Sequence, residues 1–226
     1  MTAPLLVLDL DGTLVDTAAD LIATLNIILT NEGLRPMTRD DAGALLGAGA
    51  RAMIERGFRL NDAPLDTPTL DRLFATYIPL YEGRIAEESR PFPGALAALD
   101  RFAAAGWRLA VCTNKLESLS RRLLDELDLT SRFAAVCGGD TFAVRKPEAG
   151  HLLGTIERAG GDPARTVMVG DSVTDVNAAK NARVPVVGVT FGYTDAPVAT
   201  FGPDAVIDHF DDLWNAVATI DAARQR

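Results

Sequence analysis

The sequence predicts an α/β protein: a parallel sheet with helices on both faces and a helical insertion after the first strand. Three observations predict it. Short apolar runs alternate with helical patterns through most of the chain, which is the pattern of repeated strand–helix–strand units. The polar residues that close those runs cluster at the positions where ligands bind in an open parallel sheet, beyond the strands' carboxyl ends. One stretch, from about Thr17 to about Glu88, carries helical patterns and no strand, and it is too long for a simple crossover.

The first strand is the run from Pro4 to Leu10, closed by Asp11-Gly12; a near-continuous apolar run reads as a strand buried on both faces. In the insertion, Ala18 to Asn31 is amphipathic and ends near Gly33. Thr38 before Arg39-Asp40-Asp41 marks a helix start. Gly47-Ala48-Gly49 precedes a helix over Ala50 to Phe58, and Thr69 to Tyr81 forms another. Pro91-Phe92-Pro93-Gly94 marks the return to the sheet. The expected organisation is a core of residues 1–16 and 89–226 with a helical cap of residues 17–88, hinged near Asp16-Thr17 and Ser89 to Pro93. Further strands are expected at Arg108 to Thr113, Phe133 to Gly138, Thr166 to Gly170, Val184 to Thr190 and Ala205 to Asp208. Helices are expected at Gly94 to Ala105, Leu116 to Leu127, Glu148 to Ala159, Val173 to Ala182 and Asp212 to Ala223.

The chain has 226 residues, with 22 Lys+Arg against 31 Asp+Glu, a formal charge of −9. That balance disfavours nucleic acid and anionic membrane surfaces, both polyanions, and leaves a small anionic metabolite open if local cations receive it. No apolar run approaches the ~18 residues of a membrane span. The start, Met1-Thr2-Ala3-Pro4, lacks the basic and apolar regions of a signal peptide. Cys112 and Cys137 lie in apolar strand-like runs and read as buried free thiols, which favours a cytoplasmic setting.

The strand-end residues carry the chemistry. Asp9 and Asp11 sit two apart, and extended spacing would put both carboxylates on one side. Crowded carboxylates need a cation. Asp9, Asp11 and Asp171 form an oxygen-only set that suits Mg²⁺, and the absence of His, Cys and Glu from these clusters argues against zinc. Gly12 permits a tight turn and close approach of backbone to an anion. Thr113 offers a hydroxyl, and Lys146 a compact positive charge for phosphate. These parts fit phosphoryl transfer. Asp9 would attack phosphorus; Asp11 would protonate the leaving oxygen and later deprotonate the water. Asp16 and Thr17 read as caps of the first inserted helix, His151 and His209 as isolated packing or surface residues, and Trp107 and Trp214 as core.

The run Asp9-Leu10-Asp11-Gly12-Thr13-Leu14-Val15-Asp16-Thr17 resembles the nucleophile motif of haloacid dehalogenase superfamily phosphatases. Cys112-Thr113-Asn114, Lys146-Pro147 and Gly170-Asp171-Ser172-Val173-Thr174-Asp175 follow in that superfamily's order. The resemblance implies a Rossmann-like core with a helical cap over the site. It implies Thr13 and Asn114 at the substrate, and Asp175 supporting the metal site or orienting Lys146. The segment Leu46 to Ile54 is similar to the cap of bacterial phosphoglycolate phosphatases, as are Pro91 to Gly94 and Thr113-Asn114-Lys115. That similarity implies 2-phosphoglycolate as substrate, with Arg51 on its carboxylate. Other small phosphate esters, pyrophosphate, a sugar-phosphate mutase and a 2-haloacid dehalogenase are the rival activities, and a non-catalytic phosphometabolite binder the rival class. A monomer or a homodimer is expected.

Overall fold

The computed structural model describes residues 2–47, 49–194 and 196–224. In chain order the elements are β1 (Leu5–Leu8), β2 (Val15–Asp16), α1 (Ala18–Asn31), α2 (Arg39–Ala42), α3 (Ala50–Leu60), α4 (Thr67–Glu82), β3 (Arg90–Pro91), α5 (Ala95–Ala104), β4 (Arg108–Cys112), α6 (Glu117–Glu126), β5 (Ala135–Cys137), α7 (Ala149–Arg158), β6 (Thr166–Gly170), α8 (Val173–Ala182), β7 (Val186–Val189), β8 (Ala205–Ile207) and α9 (Leu213–Arg224). Six strands form a parallel sheet in the order β5-β4-β1-β6-β7-β8. The strand order reverses around β1, the switch point where parallel sheets open a crevice.

Alternation along β1 shows how one short strand serves two layers. Leu6 and Leu8 face a core built with α5, α6 and α9, and Leu5 and Val7 face a second core built with α7 and α8. All four side chains are fully buried, each contributing about 1.5–3 kcal/mol relative to exposure. The inserted helices join the first of these cores: Leu25 and Ile28 of α1, Met53 of α3 and Tyr77 of α4 belong to the same cluster as Leu8. Among the described residues no helix is long and apolar enough to cross a membrane.

The core strands fall inside the expected runs; β6 spans its whole run from Thr166 to Gly170, and the others are shorter, since β1 stops at Leu8 and β5 covers only Ala135–Cys137. Cys112 and Cys137 are free and buried, facing each other in register across β4 and β5. Thr38 caps α2: its hydroxyl accepts from the Asp41 N–H, while Asp41 accepts from the Thr38 N–H. Ala48 of the glycine-flanked turn lies outside the described residues.

A feature with no counterpart in the sequence reading is the ribbon at the base of the insertion. β2 and β3 pair antiparallel, Val15 opposite Pro91 and Asp16 opposite Arg90, and the Phe92 N–H donates to the Leu14 carbonyl at 3.1 Å. Two-residue strands show no periodicity, so nothing in the local pattern announces them. Asp20, fully buried in the first turn of α1, ties the returning chain down. Its carboxylate accepts from the Glu88 N–H at 3.1 Å, the Ser89 N–H at 2.8 Å and the Ser89 hydroxyl at 2.6 Å.

Candidate active site

The register of the central strands builds the site. Leu8 pairs with Val111 on one side and Val169 on the other. The residues just past those positions, Asp9, Thr113 and Asp171, therefore emerge at one edge of the sheet. All three are buried, with Asp9 at 7% exposure. Asp175, in the first turn of α8, and Lys146, in the loop before α7, complete the group.

Carboxylate oxygens of Asp9, Asp171 and Asp175 lie within 4.8 Å of one another. Lys146 Nζ sits 2.8 Å from Asp9 and 2.6 Å from Asp175. Asp175 also accepts from the Ser172 hydroxyl at 2.5 Å, so both of its oxygens are engaged. Asp171 accepts from the Thr13 hydroxyl at 2.8 Å and from the Tyr193 N–H at 2.6 Å. Gly12 makes room for this packing. Its φ is +83°, and a Cβ there would meet Asp171 Oδ2 at 2.7 Å. Gly192 is tighter still, with a Cβ falling 2.1 Å from that of Asp171.

The electrostatics point to a missing positive charge. Burial, and then Asp175, push the Asp9 carboxyl up to about 7, against the opposing pull of Lys146. Burial, then Asp175 and Asp9, hold Asp171 well above the usual carboxylate range. Burial pulls the Lys146 pKa down, but Asp175 and Asp9 more than offset it and raise the ammonium's pKa. One lysine, paired with Asp9 and Asp175, thus stands against three buried carboxylates. An all-oxygen donor set with that deficit fits a hard divalent cation. Asp9 and Asp171 are the residues suited to hold it, because Asp175 is already committed to Lys146 and Ser172.

The structure separates Asp11 from this cluster. The strand ends at Leu8 and the chain turns at Leu10, so the two-residue alternation that would align Asp9 with Asp11 does not extend that far. The Asp11 carboxylate turns toward the insertion instead. It accepts from the Thr17 hydroxyl at 2.8 Å and from Lys115 Nζ at 3.1 Å. The expected carboxylate trio of Asp9, Asp11 and Asp171 is therefore replaced by Asp9, Asp171 and Asp175. Thr13, expected at the substrate, bonds Asp171. Asn114 donates to the Lys146 carbonyl at 3.1 Å, steadying the lysine's loop, and also faces the cavity.

That cavity, about 200 Å³, lies between the sheet edge and the inserted helices. Asp9, Asp11, Thr113, Asn114 and Lys115 line its floor; Gly49, Arg51, Tyr77 and Tyr81 line its roof. Arg51 reaches the cavity wall with its charge paired to Asp71 at 2.7 Å and its guanidinium over the Phe74 ring.

Five residues at the site escaped the sequence reading. Thr17 positions Asp11 and offers no side-chain cap to α1. Tyr193 supplies that cap from the core, its hydroxyl accepting from the Thr17 and Ala18 N–H groups at 2.7 and 2.9 Å and donating to Asp16 at 2.6 Å. Lys115 and Tyr81 meet at 2.7 Å across the cavity. His151, read as isolated, is buried beside Lys146 and accepts its N–H at 3.1 Å. Burial and the Lys146 charge push its pKa down to about 4, leaving it neutral.

The family model for haloacid dehalogenase-like hydrolases matches residues 6–189. The chain is 53% identical over 215 residues to a phosphoglycolate phosphatase of Agrobacterium fabrum, covering 95% of this chain and 92% of the relative. It is 49% identical to a phosphoglycolate phosphatase of Caulobacter vibrioides over 94% of this chain and 90% of that one. Among solved structures, a predicted phosphoglycolate phosphatase from Haemophilus somnus superposes with a TM-score of 0.88 at 28% identity, covering 96% of this chain and 99% of that one.

Proposed function

The chain belongs to the haloacid dehalogenase-like hydrolase family, and from that premise we propose that it is a Mg²⁺-dependent phosphomonoesterase converting 2-phosphoglycolate to glycolate and phosphate. The observation that carries the reading is the three buried carboxylates around a single lysine, opening onto a cavity that also holds Asp11 and Thr113. The substrate follows from the relatives' shared activity at 49–53% identity.

The substrate phosphate would sit over Asp9, with Lys146 and Thr113 on its oxygens and the backbone at Gly12 close by. Asp9 attacks phosphorus, the bond to the bridging oxygen breaks, and Asp11 donates a proton to the departing alkoxide. An aspartyl-phosphate remains. Asp11 then takes a proton from a water that attacks the same phosphorus, releasing phosphate and restoring Asp9. When bound at Asp9 and Asp171, Mg²⁺ would supply the positive charge that lets a carboxylate and a phosphate dianion approach each other. Asp175 holds Lys146 in place, and residues 17–88 act as a cap that closes the cavity over the ester. The net charge of −9 favours a small phosphorylated metabolite over nucleic acid or an anionic membrane, and the buried thiols favour a cytoplasmic setting.

Phosphate release from 2-phosphoglycolate tests the reading. Activity is expected with Mg²⁺, reversibly lost in EDTA, and reduced at least about 10⁴-fold in Asp9→Asn, which removes the nucleophile. Turnover retained by Asp9→Asn would exclude the covalent route.

A further inference from the structure

The cation set deepest in the cavity is Lys115. Its side chain is 5% exposed, and its Nζ lies 3.1 and 3.2 Å from the two oxygens of Asp11 and 2.7 Å from the Tyr81 hydroxyl. Lys115 follows β4 in the core, whereas Tyr81 belongs to α4 of the insertion, so the contact closes the cavity from both sides. An ammonium has three N–H groups. Two are directed at the Asp11 oxygens and one at Tyr81, so a substrate carboxylate would take over one of the two bonds that now go to Asp11. Tyr81 accepts from Lys115, and its own O–H has no acceptor among the described residues. Burial, then Asp11 and Asp20, keep that phenol protonated. The Lys115 ammonium and the Tyr81 hydroxyl therefore converge beside the acid that handles the bridging oxygen.

The geometry of the ester matches that position. In a phosphorylated 2-hydroxy acid the carboxylate carbon lies two bonds past the bridging oxygen, about 2.5 Å away by ordinary bond lengths. With the bridging oxygen at Asp11, the carboxylate falls within reach of a nitrogen 3.1 Å from that residue. We propose that Lys115 and Tyr81 form the carboxylate-recognising subsite of this cavity, and that Lys115 determines its specificity. The subsite selects phosphomonoesters whose leaving group carries a carboxylate one carbon from the bridging oxygen. This rests on the reading of the chain as a phosphomonoesterase using Asp9 and Asp11. The other cavity cations fit the task less well. Arg51 is 48% exposed and paired with Asp71, and Arg145 is exposed.

The test compares 2-phosphoglycolate with ethyl phosphate, which has a methyl group where the carboxylate stands. Values of kcat and KM are measured with Mg²⁺ for wild type, Lys115→Met, Lys115→Arg, Tyr81→Phe and Arg51→Met. Wild type is expected to prefer 2-phosphoglycolate. Lys115→Met is expected to shrink that preference about 10- to 100-fold, the range for a charged hydrogen bond, chiefly through KM for the carboxylate substrate. Lys115→Arg restores part of it, and Tyr81→Phe lowers it about three- to tenfold. Equal losses on both substrates in Lys115→Met would mean that Lys115 only orients Asp11, overturning the assignment. A preference that collapses in Arg51→Met and survives in Lys115→Met and Tyr81→Phe would move the carboxylate to Arg51. Wild type turning over ethyl phosphate as well as 2-phosphoglycolate would instead sink the substrate reading itself, before any variant is compared.

Discussion

Gly12 shows how much of this site is decided by single atoms. Its positive φ lets the chain turn sharply after Asp11, and its missing side chain lets Asp171 pack against the turn. Gly12→Ala is expected to cost about 1–3 kcal/mol from backbone strain and to displace Asp171, raising the Mg²⁺ concentration for half-maximal activity at least about tenfold. Chemical denaturation and a metal titration measure the two effects. The site's residues divide by how local their roles are. Asp9, Thr113 and Asp171 could be read from sequence because each stands at the end of an apolar run, where position in the chain implies position on the sheet, and Lys146 because it precedes Pro147 at the opening of a helical pattern. Lys115, Tyr81 and Tyr193 could not. Lys115 is 104 positions from Asp11, and Tyr193 is 177 from Asp16; each joins elements whose docking no local pattern records. Asp11 marks the intermediate case, its identity legible but its direction set by a strand that ends one residue before Asp9.

Among elements, the decisive piece is the junction between core and insertion. The parallel strands and the longer helices follow from hydrophobic period, whereas the β2–β3 ribbon is too short to have one. Asp20 is its anchor, taking the Glu88 and Ser89 N–H groups and the Ser89 hydroxyl. Asp20→Ala leaves these donors unpaired in a buried place, at about 1–3 kcal/mol. A fall of about 2–10 °C in Tm is expected for a chain of this size, with faster proteolytic cleavage near residues 84–92 than in wild type. Cleavage and Tm unchanged from wild type would mean that the ribbon holds without its anchor.

At the scale of the molecule, the buried acids couple folding to pH and metal. Asp9 titrates near 7 in the folded chain against 3.8 for an unperturbed aspartate, and Asp171 shifts in the same direction. The folded state thus keeps protons that the unfolded chain has released. Metal-free stability from these groups is full below about pH 4 and is lost as pH rises through about 7. Mg²⁺ bound at Asp9 and Asp171, as proposed, would offset that loss, so the rise in Tm on adding Mg²⁺ to EDTA-treated protein is expected to be larger at pH 8 than at pH 5. At 100 times its Kd, a ligand adds about 2.7 kcal/mol, or about 5–10 °C here; scanning calorimetry at the two pH values measures it. The ribbon has a consequence of another kind. Because Val15 and Asp16 lie hydrogen-bonded beside Arg90 and Pro91, the polypeptide leaves the sheet and returns to it at a single doorway. Both ends of the insertion are thereby fixed beside the strand that leads to Asp9, so a change within residues 17–88 reaches the spacing of Asp9, Lys146 and Asp171 through its packing on the core.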